Sequence, residues 1–129
     1  MERLDTPDGD FIDLHHFNAK LGAPVLLILH GLEGGIRSHY IQAFLEEAQS
    51  RDWHAVVLIF RGCGEEPNRS RRLYHSGETT DVAFAVAHLQ ATLPLLRLVL
   101  AGVSLGGNVL LKFLDGHGYL KFFAVREIL

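Results

Sequence analysis

A chain of 129 residues has the length of one domain, and 48% hydrophobic residues give it ample material for a core. A formal net charge of −3 gives nucleic acid no footing, and no apolar run reaches the roughly 20 residues of a membrane span. The opening stretch Met1 to Asp10 is charged and has no signal-peptide core, and a single cysteine, Cys63, excludes an internal disulfide, so the cytoplasm is the expected location.

Pro7-Asp8-Gly9 is a turn signal, and Phe11 to Phe17 after it alternates well enough to read as a strand, half of an antiparallel hairpin. Ala19 to Pro24 is a connection. Val25 to Leu29 is apolar at every position, as in a strand covered by helices on both faces. From the N-cap candidate Ser38, residues Ile41, Phe44, Leu45 and Ala48 share one helical face. Ala55 to Phe60 is the next buried strand, followed by a polar, arginine-rich loop from Arg61 to Ser76. A second helix carries Val82, Val86 and Leu89 on one face and closes at Pro94. Leu98 to Val103 is a third apolar strand, and Leu105 to about Asp115 is a third helix. Strand and helix alternate, which predicts an α/β fold with a mostly parallel sheet and helices on both faces. No linker, repeat or second domain interrupts residues 1–129.

The chemistry lies where two strands end. Leu98 to Val103 opens into Gly102-Val-Ser104-Leu-Gly106, a serine at a sharp strand-to-helix turn, the pattern of a nucleophile elbow. Gly102 and Gly106 fall where strand and helix backbones meet and a Cβ would clash, and Ser104 is expected to take strained backbone angles. The Leu105 amide, in the first turn of the helix, is free to face an oxyanion. Val25 to Leu29 opens into His30-Gly31-Leu32-Glu33-Gly34-Gly35, where the Leu32 amide offers a second donor. One such donor typically stabilises a transition state by about 3 kcal/mol. Ligands of parallel α/β sheets bind at carboxyl ends of strands beside a topological switch point, and both loops belong there if the Leu98 strand neighbours the Val25 strand.

These residues resemble the α/β-hydrolase superfamily, and within it the AB hydrolase 4 family, a group with bacterial hydrolases and eukaryotic lipid esterases. The resemblance runs to about Gly118. It rests on Pro7-Asp-Gly-Asp-Phe-Ile-Asp13, His30-Gly-Leu-Glu-Gly34, Phe60-Arg-Gly-Cys63 with Pro67-Asn-Arg69, Tyr74-His-Ser-Gly-Glu-Thr79 with Asp81, and Gly102-Val-Ser-Leu-Gly-Gly-Asn108. It implies Ser104 as nucleophile, Leu32 and Leu105 as backbone oxyanion donors, and hydrolysis of carboxylic esters, lipid esters among them, through an acyl-enzyme. His30, beside the oxyanion loop, reads either as a general base or as a brace for that loop; the resemblance favours the brace, with Gly31, Gly102 and Gly106 supporting the turn. No cofactor or metal is expected, since no histidine pair has zinc spacing.

Hydrolases of this fold place an acid and then a histidine after the nucleophile. Beyond Ser104 stand only Asp115, His117 and Glu127, and the first two lie about 15 Å of helix rise away. The chain therefore reads as the N-terminal half of a hydrolase domain, inactive by itself, with the triad acid and histidine outside it. Tyr119 to Leu129 departs from the family pattern, either as the start of a further strand or as the product of a shifted reading frame. Without further strands, Leu98 to Val103 becomes an apolar sheet edge.

Other readings compete. A dinucleotide-binding module also uses strand, glycine turn and helix, but Asn108 replaces its last glycine and no acidic residue ends a strand about 20 residues later. A non-catalytic pseudoenzyme or interaction fragment fits the missing triad. Arg61, Arg69, Arg71 and Arg72 read as a solvated basic loop pairing with Glu65 and Glu66, or as a contact for an anionic head group. Cys63 reads as a structural thiol in its turn.

Overall fold

A computed structural model describes residues 1–31, 36–61, 63–64, 79–93 and 97–116. Five strands, β1 (Glu2–Asp5), β2 (Phe11–Phe17), β3 (Val25–Leu29), β4 (His54–Ile59) and β5 (Leu98–Gly102), form one sheet in the order β1-β2-β4-β3-β5. Three helices, α1 (His39–Ser50), α2 (Thr80–Thr92) and α3 (Leu105–Gly116), complete the order. β3 runs parallel to both neighbours, with Leu27 opposite Val56 on one side and Leu100 on the other. β2 is antiparallel to β4, and β1 to β2. The expected hairpin partner is thus Glu2–Asp5, too short and charged to stand out in the sequence. No described helix is long and apolar enough to cross a membrane.

The uniformly apolar strands have their predicted explanation. Val25, Leu27 and Leu29 of β3 join Val82, Ala85, Val86 and Leu89 of α2 and Val109, Leu110, Phe113 and Leu114 of α3 in one core. Leu26 and Ile28, pointing the other way, join Ile41 and Ala48 of α1 and Ala55, Val57 and Ile59 of β4 in a second. Residues that alternate across a strand reach opposite faces, so a strand covered on both must be apolar throughout. Ser38 holds the N-cap position of α1, and its carbonyl accepts the Gln42 amide at 3.0 Å, but its hydroxyl does not cap the helix. Among the described residues β5 forms an edge of the sheet, with Val99 37% exposed.

Arg61 corrects the expectation of a solvated basic loop. It is buried at the end of β4 and binds Asp81 of α2 through two parallel bonds of 2.8 Å. Its other face meets Asp8 at 2.8 Å and Asp10 at 3.4 Å in the β1–β2 turn. One guanidinium thus ties the hairpin, the central sheet and the N-terminus of α2 together. Its planar fork suits two carboxylates at once. The Asp81 hydrogen bonds, helped by Asp8, hold its pKa above the ordinary arginine value. Bonds from Arg61 and then Thr6 keep the Asp8 carboxyl well below the usual carboxylate range. Arg69, Arg71, Arg72, Glu65 and Glu66 lie outside the described residues.

A histidine cluster fastens the hairpin at its other end. Glu2 bonds His16 of β2 at 2.8 Å and His88 of α2 at 3.0 Å, and His16 bonds His54 of β4 at 2.9 Å. Two rings that share one hydrogen cannot both present a proton to each other. Burial, and then the charge of His16, push the His54 pKa below its ordinary 6.5. Burial raises the Glu2 carboxyl, but the bonds from His16 and His88 outweigh it and leave its pKa below 4.5.

Two outcomes follow from these clusters. Removing one partner of a buried ion pair leaves the other uncompensated, so Asp81→Asn is expected to cost about 3 kcal/mol in urea unfolding. A group whose folded pKa is depressed contributes stability that is present above its unfolded value and lost as the pH falls through the folded one. His54 therefore makes the melting temperature fall as the pH drops from about 7.5 to about 5.5, and Glu2 extends the loss to lower pH. Thermal melts across that range should show the fall, and His54→Asn should reduce it.

Candidate functional site

Ser104 is a non-glycine residue held at φ 52°, between the end of β5 and the start of α3. The strand delivers it and the helix turns away beneath it. The Val103 amide bonds the Leu29 carbonyl at 3.1 Å, extending the β3–β5 ladder to the last residue before the turn. The Gly106 amide then bonds the Val103 carbonyl at 2.9 Å, and the Asn108 amide the Ser104 carbonyl at 3.1 Å. With its flanks fixed by three bonds, the serine is held in the left-handed region at a cost of about 1–3 kcal/mol, and its side chain is exposed.

The two glycines of the turn are required by backbone, not by flexible neighbours. A Cβ on Gly102 would lie 2.7 Å from the Gly106 carbonyl oxygen and 2.8 Å from the Gly107 Cα. A Cβ on Gly106 would collide with the carbonyl oxygens of Leu29 and His30. Neither clash has a side chain that can step aside.

Gly31, the residue after His30, comes to the same place. A Cβ there would stand 3.6 Å from the Ser104 Cβ, 3.5 Å from the Val103 carbonyl oxygen and 3.3 Å from the Tyr40 hydroxyl. The loop after β3 and the turn after β5 therefore meet at the carboxyl ends of adjacent parallel strands, beside the point where the strand order reverses. Leu32, the proposed continuation of that loop, lies with Glu33, Gly34 and Gly35 outside the described residues. As the first residue of α3, Leu105 carries an amide with no acceptor inside its own helix.

His30 is fully buried, and its tautomer follows from its partners. The Phe60 amide donates to Nε2 at 3.0 Å, so Nε2 carries no hydrogen, and Nδ1–H donates to the Gly31 carbonyl at 2.7 Å. Burial pushes the ring's pKa below its ordinary value. Its edge-to-face contact with Phe60, 4.8 Å between centroids, fixes the plane. Both nitrogens are committed, and the neutral ring links β4 to the loop after β3. That is bracing, not proton transfer.

The remaining candidates fall elsewhere. Asp115 is exposed near the far end of α3, while His117, Glu127 and His75 lie outside the described residues. Cys63 is half-buried against both cores and donates its amide to the Phe60 carbonyl at 3.0 Å. Sequence reasoning missed Tyr40, whose hydroxyl reaches the Gly31 loop from the first turn of α1. Only its position shortly after a glycine-rich loop hinted at it. The three aspartates around Arg61 were equally hidden, because they come from two distant segments.

Comparison with known proteins agrees with this geometry. Residues 24–117 match the model of the alpha/beta hydrolase fold family. The chain belongs to that family. It is 44% identical over 120 residues to the YheT protein of Escherichia coli strain K12, which carries an esterase name, covering 91% of this chain and 35% of that protein. A monoacylglycerol lipase of Saccharomyces cerevisiae is 34% identical over 98 residues, 75% of this chain and 22% of the lipase. The solved structure of Est1E from Butyrivibrio proteoclasticus with ferulic acid superposes with a TM-score of 0.72 at 20% identity, over 94% of this chain and 50% of that one. The chain thus spans about a third of the length of YheT and less of the yeast lipase.

The strained serine gives a test that needs no activity. Glycine takes a positive φ without the Cβ penalty, so Ser104→Gly is expected to stabilise the fold by about 1 kcal/mol in chemical denaturation. Glycine's greater chain entropy costs about 0.5–1 kcal/mol on folding, so a loss of that size or more would show that the serine's backbone carries no strain.

Proposed function

We propose that this chain supplies the nucleophile and oxyanion side of a serine hydrolase of carboxylic esters. The observation that carries the reading is Ser104 itself, at φ 52° on a strand-to-helix turn, with the loop after β3 packed against its Cβ. Ser104 Oγ attacks the ester carbonyl, the new C–O bond forms, and the charge that develops on oxygen is met by the amides of Leu105 and Leu32. The tetrahedral intermediate collapses by breaking the bond to the alcohol, which leaves with the proton that Oγ gave up. Water then cleaves the acyl-enzyme by the same steps.

The proton needs an imidazole within reach of Oγ. Both nitrogens of His30 are engaged, and His16, His54 and His88 bond within the cluster on the hairpin. Since hydrolases of this fold carry their acid and histidine after the nucleophile, the reading places both elsewhere in the whole protein and expects residues 1–129 alone to turn over little, because losing a triad member leaves only about 10³–10⁴-fold catalysis over water. Acyl esters, lipid esters among them, are the proposed substrates, supported by the lipase and phospholipase names of relatives. The cytoplasm is the proposed location, supported by the single cysteine.

Labelling of the full-length protein with a fluorophosphonate tests the reading. Covalent labelling that disappears in Ser104→Ala is the expected result. Labelling that survives the substitution, or none in the folded wild type, would remove Ser104 from the role. Binding of a nicotinamide dinucleotide in place of labelling would favour a dinucleotide module.

A further inference from the structure

Tyr40 has no part in the fold-wide networks, yet it stands beside the proposed nucleophile. Its ring is half-buried against the α1-side core, and the neighbouring His39 ring lies edge-on at 5.8 Å between centroids. Its hydroxyl has no hydrogen-bond partner among the described residues. That hydroxyl lies 3.3 Å from the point where Gly31 lacks a Cβ, and the Ser104 Cβ lies 3.6 Å from the same point. The phenolic oxygen and the Ser104 Cβ therefore both lie within 3.6 Å of the position a Gly31 Cβ would take. That position is open only because residue 31 is glycine.

We propose that Tyr40 is a substrate-contacting residue of the esterase site, donating its phenolic hydrogen to an oxygen of the acyl group while that group is carried on Ser104. The proposal rests on the Ser104 reading above. A phenol is both donor and acceptor, so its O–H can bond a carbonyl oxygen that is gaining negative charge. Tyr40 approaches from α1, an element that carries neither of the proposed backbone donors. An oxygen seated at the position a Gly31 Cβ would take is within hydrogen-bond reach of that hydroxyl, 3.3 Å away. The bond strengthens as charge grows on the oxygen, which places its effect in kcat more than in KM.

Hydrolysis of p-nitrophenyl butyrate by the full-length protein tests the proposal with three variants. Tyr40→Phe removes only the hydroxyl and is expected to lower kcat about tenfold, as for one hydrogen bond made in the transition state, with KM changed by less than about twofold and the melting temperature unchanged. Gly31→Ala, which fills the gap, is expected to lower kcat at least as much. Ser104→Ala separates this proposal from the reading beneath it. If Ser104→Ala abolishes turnover while Tyr40→Phe keeps the wild-type kcat, the Tyr40 role is wrong and the serine's stands. If Ser104→Ala retains turnover, both fall. A drop in melting temperature with Tyr40→Phe that accounts for its lost rate assigns the hydroxyl to the fold and overturns the proposal.

Discussion

The site depends on how closely α3 is allowed to approach β3. At Gly106 the helix backbone comes so near the carbonyl oxygens of Leu29 and His30 that a single added carbon has no room. At Gly102 the strand comes equally near the first turn of the helix that follows it. Between these two contacts the chain must reverse in very few residues, and the residue at the tip has to adopt a positive φ. A helix docked one side chain further away would permit a relaxed turn and would draw the serine back from Gly31. The strain at Ser104 is thus a consequence of close packing several residues away, and it persists because the ladder on one side and the helix on the other over-determine it.

Polar groups buried below the site keep that geometry rigid. His30 receives the Phe60 amide and donates to the Gly31 carbonyl, so the loop after β3 is referenced to β4 as well as to its own strand. Arg61 does the same for the hairpin and α2, through carboxylates on both. Each group is expensive to bury, and each is repaid by bonds that leave no described buried side-chain polar atom without a partner. Apolar packing holds helices on the sheet but slides easily along it. Directional bonds fix where along the strands each loop begins.

An acyl-transfer site needs the attacking oxygen and the charge-accepting donors to be in place before substrate arrives. In the proposed site these groups follow β3 and β5, whose adjacency is created by the crossover from β4, past β3, to β5. The carboxyl ends of the parallel strands open on one side of the sheet, and both loops emerge there. The same arrangement brings α1 close enough for the Tyr40 hydroxyl and the Ser104 Cβ to lie within 3.6 Å of one point at Gly31.

Residues 1–129 by themselves determined the α/β class, the three apolar strands, the three helices and the turn at Ser104. These are local properties: an unbroken apolar run, a helical face, and glycines two positions either side of a serine. β2 and β3 keep their expected bounds, while β4 runs His54–Ile59 rather than Ala55–Phe60. The short strand Glu2–Asp5 stayed hidden because its residues are mostly charged, and its stability comes from partners such as Asp13 and His16. Tertiary structure alone decided that Arg61 is buried, since only folding brings Asp8, Asp10 and Asp81 to one guanidinium. It alone fixed the His30 tautomer, through an amide thirty residues away. It alone put Tyr40 beside Ser104. A sequence announces which residues must be buried or must turn, because those demands act on neighbours. Which distant groups then meet depends on strand order and helix packing, and no local pattern carries that information.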